Sequence, residues 1–317
     1  MIFDLKTILL RLIQSLPSKE AHILDRMIHY RILGSNNSYS EHLHHYYWEN
    51  QVDFWDENPS PVRPSKGDIA IYRGFIEQVS SKQRILILGS TPELRDMAAQ
   101  IPDAKVYIAD FSYRMPLAMF SFTKHVDVLR EKWIKDNWLE LPFASGFFDV
   151  ILGDLALQQF PPDLEQVFLE KMRFFLKKGG AFVGRFHFLD ASMRQETLLE
   201  LVRKTMNAGI PDRQKFILLK LRVLWFFAEP SRRQLLRSVS AEKFKEFVEH
   251  ESRSAPLLKH VRDALITDKD SYRSWSPPEK EELERLLLRS FTIVKKAISD
   301  DYEDAKYYPI FDLSPKM

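Results

Sequence analysis

Residues 84–94 read RILILGSTPEL: an apolar run stops at Gly89, and a helical pattern starts at Thr91-Pro92-Glu93. A strand that ends in glycine and turns into a helix is how α/β proteins hold nucleotide-like ligands at the carboxyl edge of a sheet. Glycine permits the tight turn and a close backbone approach. The N–H groups of a helix start attract an anionic group. Here the second and third glycines of a phosphate loop are absent, Pro92 removes one donor and Glu93 adds a negative charge. That combination suits a zwitterion, whose ammonium Glu93 can pair with, better than a pyrophosphate. A plain helix start, with Thr91 as N-cap and Pro92 at the first position, accounts for the same residues.

Asp110 closes the next apolar run, 21 residues after Gly89. An acid at that point can accept both hydroxyls of a ribose. Asn137 and Trp138 end a third run; a carboxamide can hydrogen-bond an adenine edge, and an aromatic can cover its face or simply pack the core. Asp154 ends a fourth run, and Arg185 and His187 lie in a fifth. Arg185 can pair with Asp154 or with an anionic substrate. His187, with a pKa near neutrality, can serve as a base or as a satisfied structural side chain.

The elements that must position these groups alternate. Apolar runs at 84–89, 104–110, 131–138, 147–157 and 181–189 read as strands, separated by helical patterns such as 91–101 and 163–176, the latter ended by KKGG. Alternation at this spacing predicts a Rossmann-like α/β sheet, mostly parallel, with helices on both faces. Two further strand-like runs, 291–299 and 307–314, predict an antiparallel pair that brings the sheet to seven strands. The expected divisions are an N-terminal helical extension with a Pro-rich connector at 1–68, a cofactor-binding core at 69–190, a helical insertion between strands five and six at 191–288, and a strand pair completing the core at 289–317.

Composition sets the outer limits. The 317 residues carry 46 basic and 44 acidic side chains, a net charge of +2, which offers no electrostatic grip on nucleic acid. With no cysteine, disulfides and thiolate chemistry are excluded. Asp4, Lys6 and Arg11 interrupt the first apolar run, which reads as an amphipathic helix and not a signal peptide. No run of about 20 apolar residues is present to span a membrane, and a soluble cytoplasmic protein is the expectation.

Taken together, the quoted segments resemble the class I S-adenosylmethionine-dependent methyltransferases. ILILGSTPEL is similar to a variant first motif, Gly-x-Thr-Pro-Glu-Leu; VYIADFS resembles the second motif, DNWLELPFASGFFDVILGD the segment through the fourth, and FLKKGGAFVGRF the fifth strand with its lead-in. The upstream stretch from Tyr46 to Tyr72 resembles the leader of relatives with this first motif, including its Pro-x-Arg-Pro element. The resemblance implies S-adenosyl-L-methionine as cofactor and S-adenosyl-L-homocysteine as product. It places Gly89, Ser90 and Thr91 against the methionine part, with Arg63 over its carboxylate. Asp110 would bind the ribose, Phe111 would lie beside the adenine, and Asp136, Asn137 and Trp138 would frame it. Asp154 would face the methyl group and the substrate.

Methyl transfer from a sulfonium needs an aligned nucleophile, exclusion of water and, for a hydroxyl or amine, a base. Asp154 and His187 are the candidate catalytic residues. Tyr47, Trp48, Trp55 and Arg185 are candidates for holding a small-molecule or peptide acceptor. His42, His44 and His45 lack further ligands at suitable spacing, so no metal is expected. Residues 216–237 mix apolar and basic side chains and read as a core helix of the insertion. The alternatives are a non-catalytic binding protein on the same fold and, less favoured by Pro92 and Glu93, an NAD(P)-dependent oxidoreductase.

Overall fold

Seven strands form one sheet in the computed structural model, which describes residues 55–77, 83–111, 114–228, 237–250, 256–267 and 277–316. They are β1 (Arg84–Leu88), β2 (Lys105–Asp110), β3 (Glu131–Lys135), β4 (Phe148–Asp154), β5 (Leu176–Arg185), β6 (Phe291–Ala297) and β7 (Ile310–Pro315), in the order β3-β2-β1-β4-β5-β7-β6. Pairing is parallel from β3 through β5, and β7 runs antiparallel to both β5 and β6. The strand order reverses between β1 and β4, and ligands of open parallel sheets bind in the crevice at the carboxyl ends there.

Helix α1 (Lys66–Ile76) precedes β1, α2 (Pro92–Ala99) and α3 (Arg114–Phe120) follow β1 and β2, α4 (Pro162–Phe175) links β4 to β5, and β3 runs to β4 through a loop. Between β5 and β6 come α5 (Leu198–Met206), α6 (Asp212–Phe226), α7 (Arg237–His250), α8 (Pro256–Thr267) and α9 (Lys280–Ser290). Side chains alternate across a strand, and β1 shows it: Ile85 and Ile87 pack with Tyr72 and Ile76 of α1 and Leu94 and Met97 of α2. Leu86 and Leu88 pack on the other face with Phe168 and Met172 of α4 and Leu283 and Leu287 of α9. Each such fully buried side chain is worth about 1.5–3 kcal/mol, which is why the central strands β1 and β4 read as apolar runs.

Three expectations are corrected. Helix α4 ends at Phe175, ahead of KKGG, and β5 begins at once: Phe148 pairs with Leu176, Val150 with Ala181, and Lys177 to Gly180 bulge between them. The bulge requires glycine, since Gly179 has φ +77° and a Cβ on Gly180 would come within 2.9 Å of the Asp149 carbonyl oxygen. At its other end β5 stops at Arg185, and the following backbone turns to other partners, with the Phe186 N–H donating to the Pro309 carbonyl. Finally, Thr91 precedes α2 but makes no side-chain capping bond. Residues 1–54, with the predicted N-terminal helices, lie outside the described residues.

Helices α5 to α8 share their own apolar core, built from Leu201, Leu219, Val223, Phe244, Val261 and Leu265. Within residues 216–237 the helix ends at Phe226, and Leu218, Leu219, Val223, Leu224 and Trp225 are buried in it. Helix α9 instead packs on the sheet. The cap meets the core through Trp225, which packs with Leu189 and Ala228. Arg222 adds ion pairs to Glu303 at 2.9 Å and Asp304 at 3.0 Å.

One side chain joins β4 to β5 at their carboxyl ends. The Tyr72 hydroxyl donates to the Gly153 carbonyl at 2.8 Å and accepts from the Arg185 N–H at 2.7 Å. Tyr72→Phe would strand both buried backbone groups without opening a cavity. The expected loss is about 1–3 kcal/mol of unfolding free energy in a urea titration; a loss within error of zero would contradict this bridging role.

Candidate active site

At the ends of β1 and β2, Gly89 has φ +82°, and its N–H donates to the Ala109 carbonyl at 2.8 Å. The same carbonyl accepts the Trp138 indole N–H at 2.8 Å. The indole therefore lies along the Gly89 turn, and a Cβ on Gly89 would sit 3.7 Å from its ring. Glycine is needed here for its backbone angle, not for space. Trp138 is held from behind by Phe160 and Phe168 at centroid distances of 6.1 and 6.3 Å. Ser90 donates its hydroxyl to Asp110 Oδ2 at 2.8 Å, and both residues are buried. Phe111, half-buried, follows directly.

The β3–β4 connection closes the adenine side of the predicted site. Asp136 donates its N–H to the Asp110 carbonyl at 3.0 Å. The Asn137 side-chain oxygen accepts from the Leu139 N–H at 3.1 Å, a local Asx turn. Gly89, Ser90, Asp110, Asp136 and Trp138 are thus brought together by direct hydrogen bonds or contact, while Asn137 points its oxygen back to its own loop.

A second group covers the first turn of α2. Glu93 accepts the Trp55 indole N–H at 3.1 Å and 3.3 Å, and Arg63 stands 3.8 Å from it. Trp55 packs on Met115, Ala118 and Met119. Its indole N–H thereby clamps Glu93. Burial pushes the Glu93 carboxyl up to about 7, against the pull of its own backbone N–H, Arg63 and Trp55.

The third group is a buried arginine. Arg185 donates Nε to Asp154 Oδ1 at 2.6 Å and Nη2 to Asp154 Oδ2 at 3.1 Å, a two-pronged pairing. Nη1 donates to Asp68 Oδ2 at 2.9 Å, and Nη2 to the Pro61 carbonyl at 2.9 Å. Nη1 also lies 3.4 Å from the Arg63 carbonyl and from the Tyr302 hydroxyl. Burial works against the charge, but Asp154, Tyr302 and Asp68 outweigh it, and the guanidinium stays protonated with its pKa well above the usual arginine value. Both Asp154 oxygens are committed to this pair. Of the two readings open for Arg185, the structure shows the ion pair with Asp154.

His187 is fully buried, with its ring stacked on Tyr308 and tilted against Trp225, each at a centroid distance of 4.3 Å. Burial first, and Arg185 second, hold its pKa well below the ordinary histidine value. Tyr47, Trp48, His42, His44 and His45 lie outside the described residues. Sequence reasoning missed Asp68, Tyr72, Gln158, Trp225, Tyr302 and Tyr308. Only Asp68 left a readable signal: with Ser65 it forms a capping box at the start of α1.

The sheet order, with β7 alone antiparallel, is that of the class I S-adenosylmethionine-dependent methyltransferase fold, and the chain has this fold. No family model and no curated protein matches the chain. Among solved structures, one provisionally described as a Zn-dependent alcohol dehydrogenase of Rhodobacter sphaeroides aligns with TM-score 0.50 at 16% identity, over 85% of this chain and 97% of that one. A 1,6-didemethyltoxoflavin-N1-methyltransferase of Burkholderia thailandensis with bound S-adenosylhomocysteine aligns with TM-score 0.48 at 12% identity, over 90% and 93%. An S-adenosylmethionine-dependent methyltransferase of Aquifex aeolicus aligns with TM-score 0.45 at 10% identity, over 84% and 98%. At these identities the first likeness shows fold alone, and the other two, below 0.5, add no weight to it. Among the described residues, no helix is long and apolar enough to cross a membrane.

The Glu93 shift has a consequence for stability. With its folded pKa raised from 4.5 to about 7, the folded chain holds this proton more tightly than the unfolded chain does. The stabilisation is complete below about pH 4.5 and is lost as pH rises through about 7. Glu93→Gln keeps the shape and cannot ionise. In thermal unfolding scans its Tm should fall less between about pH 5 and pH 8 than the wild-type Tm does; parallel curves would contradict the buried-carboxyl assignment.

Proposed function

We propose that this chain is an S-adenosylmethionine-dependent methyltransferase whose methyl donor lies across the carboxyl ends of β1 and β2 and the loop after β3. The observation that carries the reading is Glu93, a half-buried carboxyl in the first turn of α2, four residues after Gly89 and held by Trp55 and Arg63. A dinucleotide pyrophosphate placed there would meet like charge, whereas the ammonium of an amino-acid moiety is complementary. The residues fit the group in other respects. The Gly89 backbone permits close approach, Asp110 offers an acceptor-only side chain for a diol, and the start of α2 carries no side-chain cap.

In this reading Gly89, Ser90 and Thr91 line the methionine part, Glu93 pairs with its ammonium and Arg63 with its carboxylate. Asp110 holds the ribose hydroxyls, steadied by Ser90. Phe111, Asp136, Asn137 and Trp138 frame the adenine. The bound cofactor supplies a methyl group already activated on a sulfonium. Asp154 accepts from Arg185 through both oxygens, and each oxygen keeps a second accepting position; in this reading Asp154 anchors Arg185 and faces the methyl group and the acceptor. A small-molecule or peptide acceptor under the α5–α8 cap is part of the same proposal.

A second reading, a cofactor-binding protein without catalysis, is favoured by the commitment of Asp154 to Arg185. The dehydrogenase-like neighbour makes NADH the necessary control.

Calorimetric titration should show binding of S-adenosylhomocysteine and none of NADH. Binding should tighten as pH rises through about 7, because an ammonium pairs only with ionised Glu93. Asp110→Asn should weaken it roughly tenfold or more, equivalent to about 1.4 kcal/mol, with Tm little changed. Binding of NADH alone would overturn the proposal, as would full affinity in the Asp110 variant.

A further inference from the structure

His187 and Gln158 hold unmet hydrogen-bonding capacity that the cofactor site does not use. His187 follows β5 by two residues, is 0% exposed, and neither ring nitrogen has a hydrogen-bond partner. Gln158, 2% exposed, donates its amide to the His187 carbonyl at 3.1 Å, and its own side-chain oxygen is also unpartnered. Folded proteins rarely leave buried polar atoms unpaired, and a cluster of them marks a place where a ligand or ordered water completes the set.

The chemistry of that ligand follows from its surroundings. The Tyr308 ring lies parallel to the imidazole, at 8°, and Trp225 flanks it at 57°, so the walls are flat and aromatic. A neutral imidazole offers one N–H donor and one accepting nitrogen. A hydroxyl answers both needs, since it donates and accepts. The charge that acts on the imidazole is the Arg185 guanidinium, which also stands 5.9 Å from the Tyr308 ring centroid. A positive neighbour disfavours an ammonium and favours an oxygen that carries partial negative charge.

The walls come from two segments that are also tied to each other. Trp225 lies on α6 one turn beyond Arg222, and Arg222 holds Glu303 and Asp304, in the turn that leads into Tyr308. A ligand would reach the His187 edge only if α6 separated from that turn.

We propose that His187, Gln158, Tyr308 and Trp225 form the binding site for the methyl acceptor, and that this acceptor is an aromatic hydroxyl compound whose hydroxyl hydrogen-bonds the His187 ring. As an acceptor site it rests on the methyltransferase reading; as a binding site for aromatic hydroxyls it stands by itself.

The test uses p-cresol, benzylamine and cyclohexanol as probes, with histidine ring signals followed by NMR on the full chain. The His187 signal is the one absent from His187→Phe. It should shift with p-cresol and not with the amine or the saturated alcohol. His187→Phe keeps the stacking, and there p-cresol affinity should drop at least about tenfold while S-adenosylhomocysteine affinity is unchanged. Gln158→Met, nearly isosteric, should also weaken p-cresol and guards against a folding failure in the first variant. The inference is overturned if p-cresol leaves the His187 signal in place, as it would if water alone completes the set. It is equally overturned if p-cresol binds both variants as it binds the wild type, or if benzylamine binds as tightly. Binding of p-cresol without binding of S-adenosylhomocysteine supports the site and rejects the methyltransferase reading; the reverse pattern rejects this inference alone.

Discussion

A single guanidinium organises the carboxyl edge of this sheet. Arg185 has no exposure to solvent, and its donors are shared among Asp154, Asp68 and the Pro61 carbonyl. Through them it fixes β4 and β5, the start of α1, and the Pro-rich connector that crosses the edge. Burying such a charge costs several kcal/mol unless its hydrogen bonds are nearly complete, and that demand selects the geometry. The connector cannot move without unpairing the arginine, so Trp55 and Arg63 are delivered to Glu93 as a consequence. The node gives Asp154 a fixed orientation at the end of β4.

Beside this node, two titratable groups that the ligand reading uses are shifted by burial. Burial raises Glu93 and lowers His187, each toward its neutral form. The two lie on different elements: Glu93 at the start of α2, over the first turn, and His187 beyond β5, beneath the cap. Once ionised, Glu93 suits a cation, whereas the neutral imidazole suits a neutral or electron-rich oxygen.

Much of the fold was legible because parallel strands buried on two faces leave apolar runs that composition alone can locate. Strands β1, β2 and β4 follow from that signal; β3, EKWIK, and β6, which alternates in exposure, carry it only weakly and were legible by their place in the alternation. The boundaries of β5 were not, because a bulge at Lys177 to Gly180 reads as a helix stop, and Gly179 and Gly180 serve the bulge instead. Helix α9 shares its amphipathic pattern with the cap helices, and only packing shows that it covers the sheet. In the candidate site, Gly89 and Asp110 stood out through spacing. The partners of Arg185 did not: Asp68 lies 117 residues away and Tyr72 lies 113 away, and nothing local links them. Trp138 could be read as ligand cover or core; the structure gives it both neighbours, the Gly89 turn in front and Phe160 and Phe168 behind.

The most direct test of the central claim is a backbone amide NMR titration of the intact chain with S-adenosylhomocysteine. If the rim held in place by Arg185 receives an adenosyl amino acid, the largest shifts will fall on Gly89, Ser90, Glu93, Asp110 and Phe111, with the core of the cap unmoved. Saturable binding that leaves Gly89 and Asp110 unshifted, or that shifts residues of the cap core instead, would contradict the account.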